Sequence, residues 1–78
     1  MRITIYTRND CMQCHATRRA IESRGLTFEL INLDLHPEAA DDLRAQGYRQ
    51  LPVVVTEQES WSGFRPDMIN RLRIQASA

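Results

Sequence analysis

Apolar residues recur along this chain with two different periods, and the switches between them mark out its elements. Ile3-Thr4-Ile5-Tyr6-Thr7 is rich in β-branched and aromatic residues and predicts a buried strand. Arg8-Asn9-Asp10 is a polar turn, with Asn9 or Asp10 placed to cap a helix. From Cys11 onward, Met12, Ala16, Ala20 and Ile21 recur at helical spacing, and Gly25 stands where helices commonly end. Residues 26–33, LTFELINL, predict a second strand, and residues 34–47, DLHPEAADDLRAQG, a second helix. Pro37 suits the first turn of that helix, Glu38, Asp41 and Asp42 its positive end, and Gly47 its stop. Val53–Val55 reads as a short apolar strand, TEQE as a polar turn and Ser60–Ser62 as a brief returning strand. The segment RPDMINRLRI predicts a last helix starting at Pro66, with Met68, Ile69 and Leu72 on its core face and Arg71 and Arg73 at its solvated end.

The order β-α-β-α-β-β-α prunes the topology. The first two strands, joined through a helix, should run parallel by a right-handed crossover. The turn between the third and fourth is too short for a crossover, so they should form an antiparallel hairpin. The expected fold class is α/β, a four-stranded mixed sheet with helices on both faces. At 78 residues the whole chain, 1–78, is expected to be one domain with a small core.

Composition narrows the function classes. All ten basic residues are Arg, and they balance ten acidic ones with no run of one sign. A surface that tracks phosphates would need a basic excess, so no nucleic-acid partner is expected. No apolar run approaches the length of a bilayer span, and the start MRITIYT lacks the apolar stretch of a secretory signal, so the expected location is the cytoplasm and no membrane partner is expected. In that reducing compartment the two cysteines point to metal binding or redox catalysis rather than to a structural staple.

Cys11 and Cys14 lie in DCMQCH, which is compatible with three chemistries: covalent haem attachment, half of a zinc site, or an exchanging dithiol. Haem would need a second axial ligand, Met68 or His36, and a slot that so small a sheet lacks. Zinc would need four ligands, and Cys11, Cys14, His15 and His36 do not easily converge on one ion. An iron–sulfur cluster shared between two chains stays open on this reading, as does a binding module with an incidental dithiol. The favoured reading is redox. Behind a strand and at a helix N-terminus, partial positive charge and free N–H groups favour a thiolate. Cys14 is one turn on, at a spacing compatible with a disulfide. Cys11 is expected to attack a substrate disulfide and Cys14 to resolve the mixed disulfide. Arg8 would add positive potential or remain a solvated charge. Leu51-Pro52 opens the third strand, where a cis bond would set backbone groups beside the dithiol. His15 reads as a bystander.

Taken together, TIYTRNDCMQCHATRRAIESRG, LINLD, AQGYRQLPVV and SWSGFRPDMINRL resemble the NrdH-redoxins, glutaredoxin-like electron donors, over nearly the whole chain. The resemblance implies a thioredoxin-like, glutaredoxin-type fold. It also implies a monomeric protein disulfide oxidoreductase with no bound cofactor beyond its own Cys11–Cys14 pair. NADPH would act indirectly, through thioredoxin reductase, and the usual client is the large subunit of class Ib ribonucleotide reductase. The inner pair Met12-Gln13 departs from the Val-Gln common in the family, a small apolar change that should tune activity. The rival is a glutathione-dependent glutaredoxin. Such proteins generally carry Thr-Val-Pro where this chain has Gln50-Leu51-Pro52. They also carry a Gly-Gly-x-Asp-Asp-like segment where it has Ser62-Gly63-Phe64-Arg65-Pro66-Asp67. Pro66 donates no N–H, and Phe64 and Arg65 add bulk where an open groove would be wanted. Asp67 is placed to cap the last helix. Trp61 has two readings, a core aromatic or, with Phe64 and Arg65, a partner-facing anchor.

Overall fold

Ile5 is fully buried on the central strand, in the larger of two cores on the faces of one sheet. In the computed structural model, which describes residues 2–72, strand β1 (Thr4–Thr7) lies between β2 (Glu29–Asn32) and β3 (Val53–Val55), with β4 (Ser60–Ser62) outside β3. β1 and β2 are parallel, while β3 runs antiparallel to both β1 and β4. The crossover helix α1 (Met12–Ser23) joins β1 to β2, and α2 (Pro37–Ala45) and α3 (Pro66–Ile69) complete the expected order.

Register converts the strand alternation into two cores. Leu30, Ile5, Val54 and Trp61 stand opposite one another in a single row across the sheet. Ile5, Val54 and Trp61 of that row and Ile3 pack with Ile21 of α1, Ile69 of α3 and Leu72, with Leu26, Phe28 and Met68 at the margin, while Leu30 at the β2 end is exposed. On the opposite face, Val53 meets Leu33 and Leu43, flanked by Tyr6, Ile31, Ala39 and Ala40. One-residue offsets therefore separate the face under α1 and α3 from the face under α2. Each buried Ile, Leu or Val contributes about 1.5 to 3 kcal/mol.

Several boundaries differ from the sequence expectation, each for a local reason. Cys11 itself, not Asn9 or Asp10, is the N-cap of α1. Asn9 is taken up elsewhere: its N–H donates to Asp34 Oδ2 at 2.9 Å, and its Oδ1 accepts from Asn32 Nδ2 at 2.7 Å. The buried face of α1 is Cys14, Thr17 and Ile21, and Met12 is 88% exposed. Of the expected apolar series, Ile21 is buried and Ala20 packs against the core, but Met12 is not part of the stripe, whose N-terminal positions are a cysteine and a threonine. β2 starts at Glu29; Leu26 and Phe28 serve the core from the connection before it. In α2 only Glu38 falls in the acidic first turn, while Asp41 pairs with Arg44 at 3.4 Å. α3 is a single turn, and Arg71 beyond it is exposed as expected, with its guanidinium reaching Glu59 at 3.4 Å. Arg73 lies outside the described residues. Gly25 and Gly47 follow their helices with φ of 74° and 96°, the left-handed geometry that ends helices and favours glycine.

Candidate active site

Because β1 and β2 are parallel, their carboxyl ends open on one edge of the sheet, and α1 begins there. Cys11 has extended backbone (φ −137°, ψ 103°), so its side chain turns back over the first helical turn and its Sγ accepts the Cys14 N–H at 3.1 Å. Its carbonyl meanwhile accepts the His15 N–H at 3.2 Å. The sulfur occupies the place of a capping oxygen. Such a bond, added to the positive end of the helix, favours the charged form of a thiol once the disulfide opens.

Cys11 and Cys14 are disulfide-bonded, with Cα atoms 5.2 Å apart. Burial distinguishes the two sulfurs. Cys11 is half-buried at the edge, whereas Cys14 is 1% exposed and belongs to the core face of α1. His15 is exposed and lies on no shared site.

The loop after β4 comes close to Gln13 of the motif. Gly63 donates its N–H to the Pro52 carbonyl at 2.8 Å, and its φ is 81°. A Cβ placed on Gly63 would stand 3.1 Å from Gln50 Oε1 and 3.8 Å from Gln13 Oε1. Gln13, Gln50, Pro52 and Gly63 thus stand together, which brings the WSGF and QLP segments to the dithiol motif. Leu51-Pro52 is a cis peptide, and Pro52 is buried. The sequence had left this isomer open.

The sites expected to face a partner separate into three. Trp61 is 4% exposed and packed in the core beneath α1 and α3, so its partner-facing reading is corrected to the core one. The reason is register: Trp61 continues the row of Ile5 and Val54. Phe64 is 39% exposed and remains available at the surface. Arg65 grips Asp67 with two bonds, Nε to Oδ1 at 3.1 Å and Nη2 to Oδ2 at 2.9 Å. That grip holds the Asp67 carboxyl below its usual range and raises the Arg65 guanidinium further. Arg65, not Asp67, is the N-cap of α3, and its side chain makes no capping bond. Arg8 faces Asp34 at 3.6 Å, so part of its positive potential is offset.

A groove of about 500 Å³ opens on the α2 face, lined by Arg8, Tyr48, Arg49, Gln50 and Leu51 among others. Neither cysteine lines it. The dithiol lies at the edge of the sheet, with Cys11 half-buried and Cys14 buried beneath it. Among the described residues, no group of three or more His, Cys, Asp and Glu side chains is arranged to hold a metal ion. No helix among them is long and apolar enough to cross a membrane.

The similarities to known proteins agree with this geometry. The sequence profile of the glutaredoxin family matches residues 3–61. The chain is 75% identical to the glutaredoxin-like protein NrdH of Escherichia coli K12 over 72 residues, 92% of this chain and 89% of that one. It is 74% identical to NrdH of Salmonella typhimurium over the same share of each. The solved NrdH-redoxin of Escherichia coli superposes with a TM-score of 0.92 at 73% identity, covering 95% of this chain and 97% of that one. A half-buried sulfur capping α1, a buried second sulfur one turn on, and this degree of likeness lead to one assignment: the chain belongs to the glutaredoxin family, as one of its glutaredoxin-like NrdH proteins.

Proposed function

We propose that this protein is a cytoplasmic protein disulfide reductase that supplies electrons to class Ib ribonucleotide reductase and is recharged by NADPH through thioredoxin reductase. The observation that carries the proposal is the unequal burial of the bonded pair Cys11–Cys14, one sulfur at the edge and one beneath it. In the reduced protein, the Cys11 thiolate attacks a client disulfide. One client sulfur leaves as a thiolate, and the other is held in a mixed disulfide. Cys14 then attacks Cys11 Sγ, which expels the second client thiolate and closes Cys11–Cys14. Two electrons pass to the client in each cycle, and the reductase returns two to the closed disulfide. The chain's own sulfurs carry both electrons, so no bound cofactor enters the cycle.

Two further features support a macromolecular partner: the exposed Phe64 beside Gly63 and the exposed Met12. The solved Escherichia coli relative is described as having a thioredoxin-like activity profile. A second reading, reduction by glutathione, draws on the groove beside Leu51, whose volume suits a small ligand and whose wall includes Arg8 and Arg49.

One assay decides between them. NADPH oxidation is followed with insulin or ribonucleotide reductase as acceptor, in one arm with thioredoxin reductase and in the other with glutathione and its reductase. Turnover in the thioredoxin reductase arm supports the proposal. Turnover confined to the glutathione arm overturns it.

A further inference from the structure

Thr17 is the one fully buried polar side chain among the described residues, at 0% exposure, and its Oγ1 has no hydrogen-bond partner. A helical threonine ordinarily bonds the carbonyl three or four residues back, here that of Cys14 or Gln13, but this hydroxyl does not. Valine has the same shape and would fill the place without burying an unpaired hydroxyl. A role for the oxygen is therefore to be sought in a state other than the oxidised one.

Cys14 supplies that state. It precedes Thr17 by three residues on the buried face of α1, where Cβ atoms lie about 5 to 6 Å apart. Helical side chains lean toward the N-terminus, so Thr17 leans over the turn that carries Cys14. The Cys11 sulfur already receives the Cys14 N–H. No donor reaches the Cys14 sulfur among the described residues, which matters little while that sulfur is bonded to Cys11. When the bond opens, Cys14 becomes a buried sulfur that must carry negative charge in order to attack. The other residues buried with it on this face are apolar, so no charged side chain within the core can meet that need.

We propose that Thr17 is a positioning residue for the resolving thiol, its Oγ1–H donating to Cys14 Sγ in the reduced and mixed-disulfide states. This rests on the resolving role of Cys14 given above. The step balances simply. The Cys14 proton goes to solvent, its sulfur pair forms the Cys14–Cys11 bond, and the Cys11–client bond breaks with its pair on the client sulfur. Thr17 keeps its own proton throughout. A hydrogen bond to the thiolate raises its population below its titration midpoint but lowers its nucleophilicity.

Those opposed effects give the test. Reduced protein is mixed with dithiobis-nitrobenzoate, an aromatic disulfide whose released thiolate is coloured. Attack by Cys11 gives a first release whose rate rises with reagent concentration. Resolution by Cys14 gives a second release that is independent of it. The second phase is measured against pH in the wild type, Thr17→Val and Thr17→Ser. If Val moves the midpoint up by about one pH unit, it slows resolution about threefold below the midpoint and speeds it about threefold above both midpoints. Ser, which restores the hydroxyl, returns the profile to that of the wild type, and the first phase is unchanged in all three.

Identical profiles for Val and wild type overturn the proposal. So does uniform slowing by Val at every pH, or a failure of Ser to rescue, because either result assigns the effect to packing. If the wild type itself shows no reagent-independent second release, the resolving role of Cys14 fails, and the role of Thr17 with it.

Discussion

Replacing Trp61 with alanine should remove a large part of the stability of this fold. The ring is 4% exposed and closes the row of Ile5 and Val54 beneath α1 and α3. Truncating a buried aromatic costs about 3 to 5 kcal/mol, because the cavity is only partly refilled. A chain of this length has roughly 4 to 12 kcal/mol in total, so the loss is about a quarter of it or more. At about 4 to 8 °C per kcal/mol, the midpoint should fall by roughly 12 to 40 °C. The assay is thermal and urea unfolding of the oxidised protein followed by circular dichroism, since the variant loses its one tryptophan. Trp61→Phe should cost clearly less, because it keeps most of the apolar volume and removes an indole N–H that has no partner. An alanine variant with wild-type unfolding but a raised KM for its reductase would refute this reasoning. It would mean that the ring serves a partner and that the row across the sheet is wrongly drawn.

Other predictions follow from the loop and the surface. Gly63→Ala should destabilise by about 1 to 2 kcal/mol, since φ of 81° disfavours a Cβ and the new atom stands 3.1 Å from Gln50 Oε1. Urea unfolding indistinguishable from wild type would contradict that. Leu43→Ala should cost about 2 to 5 kcal/mol by opening the smaller core under α2 while leaving dithiol exchange rates nearly unchanged; parallel unfolding and thiol kinetics check both halves. The Arg65–Asp67 grip lowers the Asp67 carboxyl, so its stabilisation is complete above the ordinary carboxylate range and is lost as pH falls through the lowered value. A carboxyl titration by NMR should find Asp67 below the usual range in the wild type and returned toward it in Arg65→Gln. Because the pair is exposed, neutral-pH stability should change little.

The two sequence periods foretold the element order, the hairpin and the parallel pairing of the first two strands, because chain connectivity leaves those few choices. What they left unread was phase and register. In α1, a search for apolar residues picked Met12 and passed over Cys14 and Thr17, although only the latter pair face the core. In β4, the alternation Ser60-Trp61-Ser62 with a single large apolar residue was itself a signal that Trp61 points inward. It became decisive only when Val54↔Trp61 joined it to Ile5. The dithiol was legible from its spacing and its place between a strand and a helix. Three features depend on backbone angles or long-range pairing that residue types do not carry. These are the capping of α1 by Cys11, the pairing of Arg8 with Asp34, and the approach of Gly63 to Gln13 and Gln50.

Covalent capture tests the division of labour between the two sulfurs most directly. Reduced Cys14→Ser and Cys11→Ser proteins are each mixed with a disulfide-containing client, and adducts are read by intact-mass spectrometry before and after added dithiol. Cys14→Ser should accumulate one client adduct on Cys11, released by the dithiol, because the resolving sulfur is missing. Cys11→Ser should capture almost nothing, because Cys14 is 1% exposed. Capture through Cys14 with none through Cys11 would contradict the account at its centre.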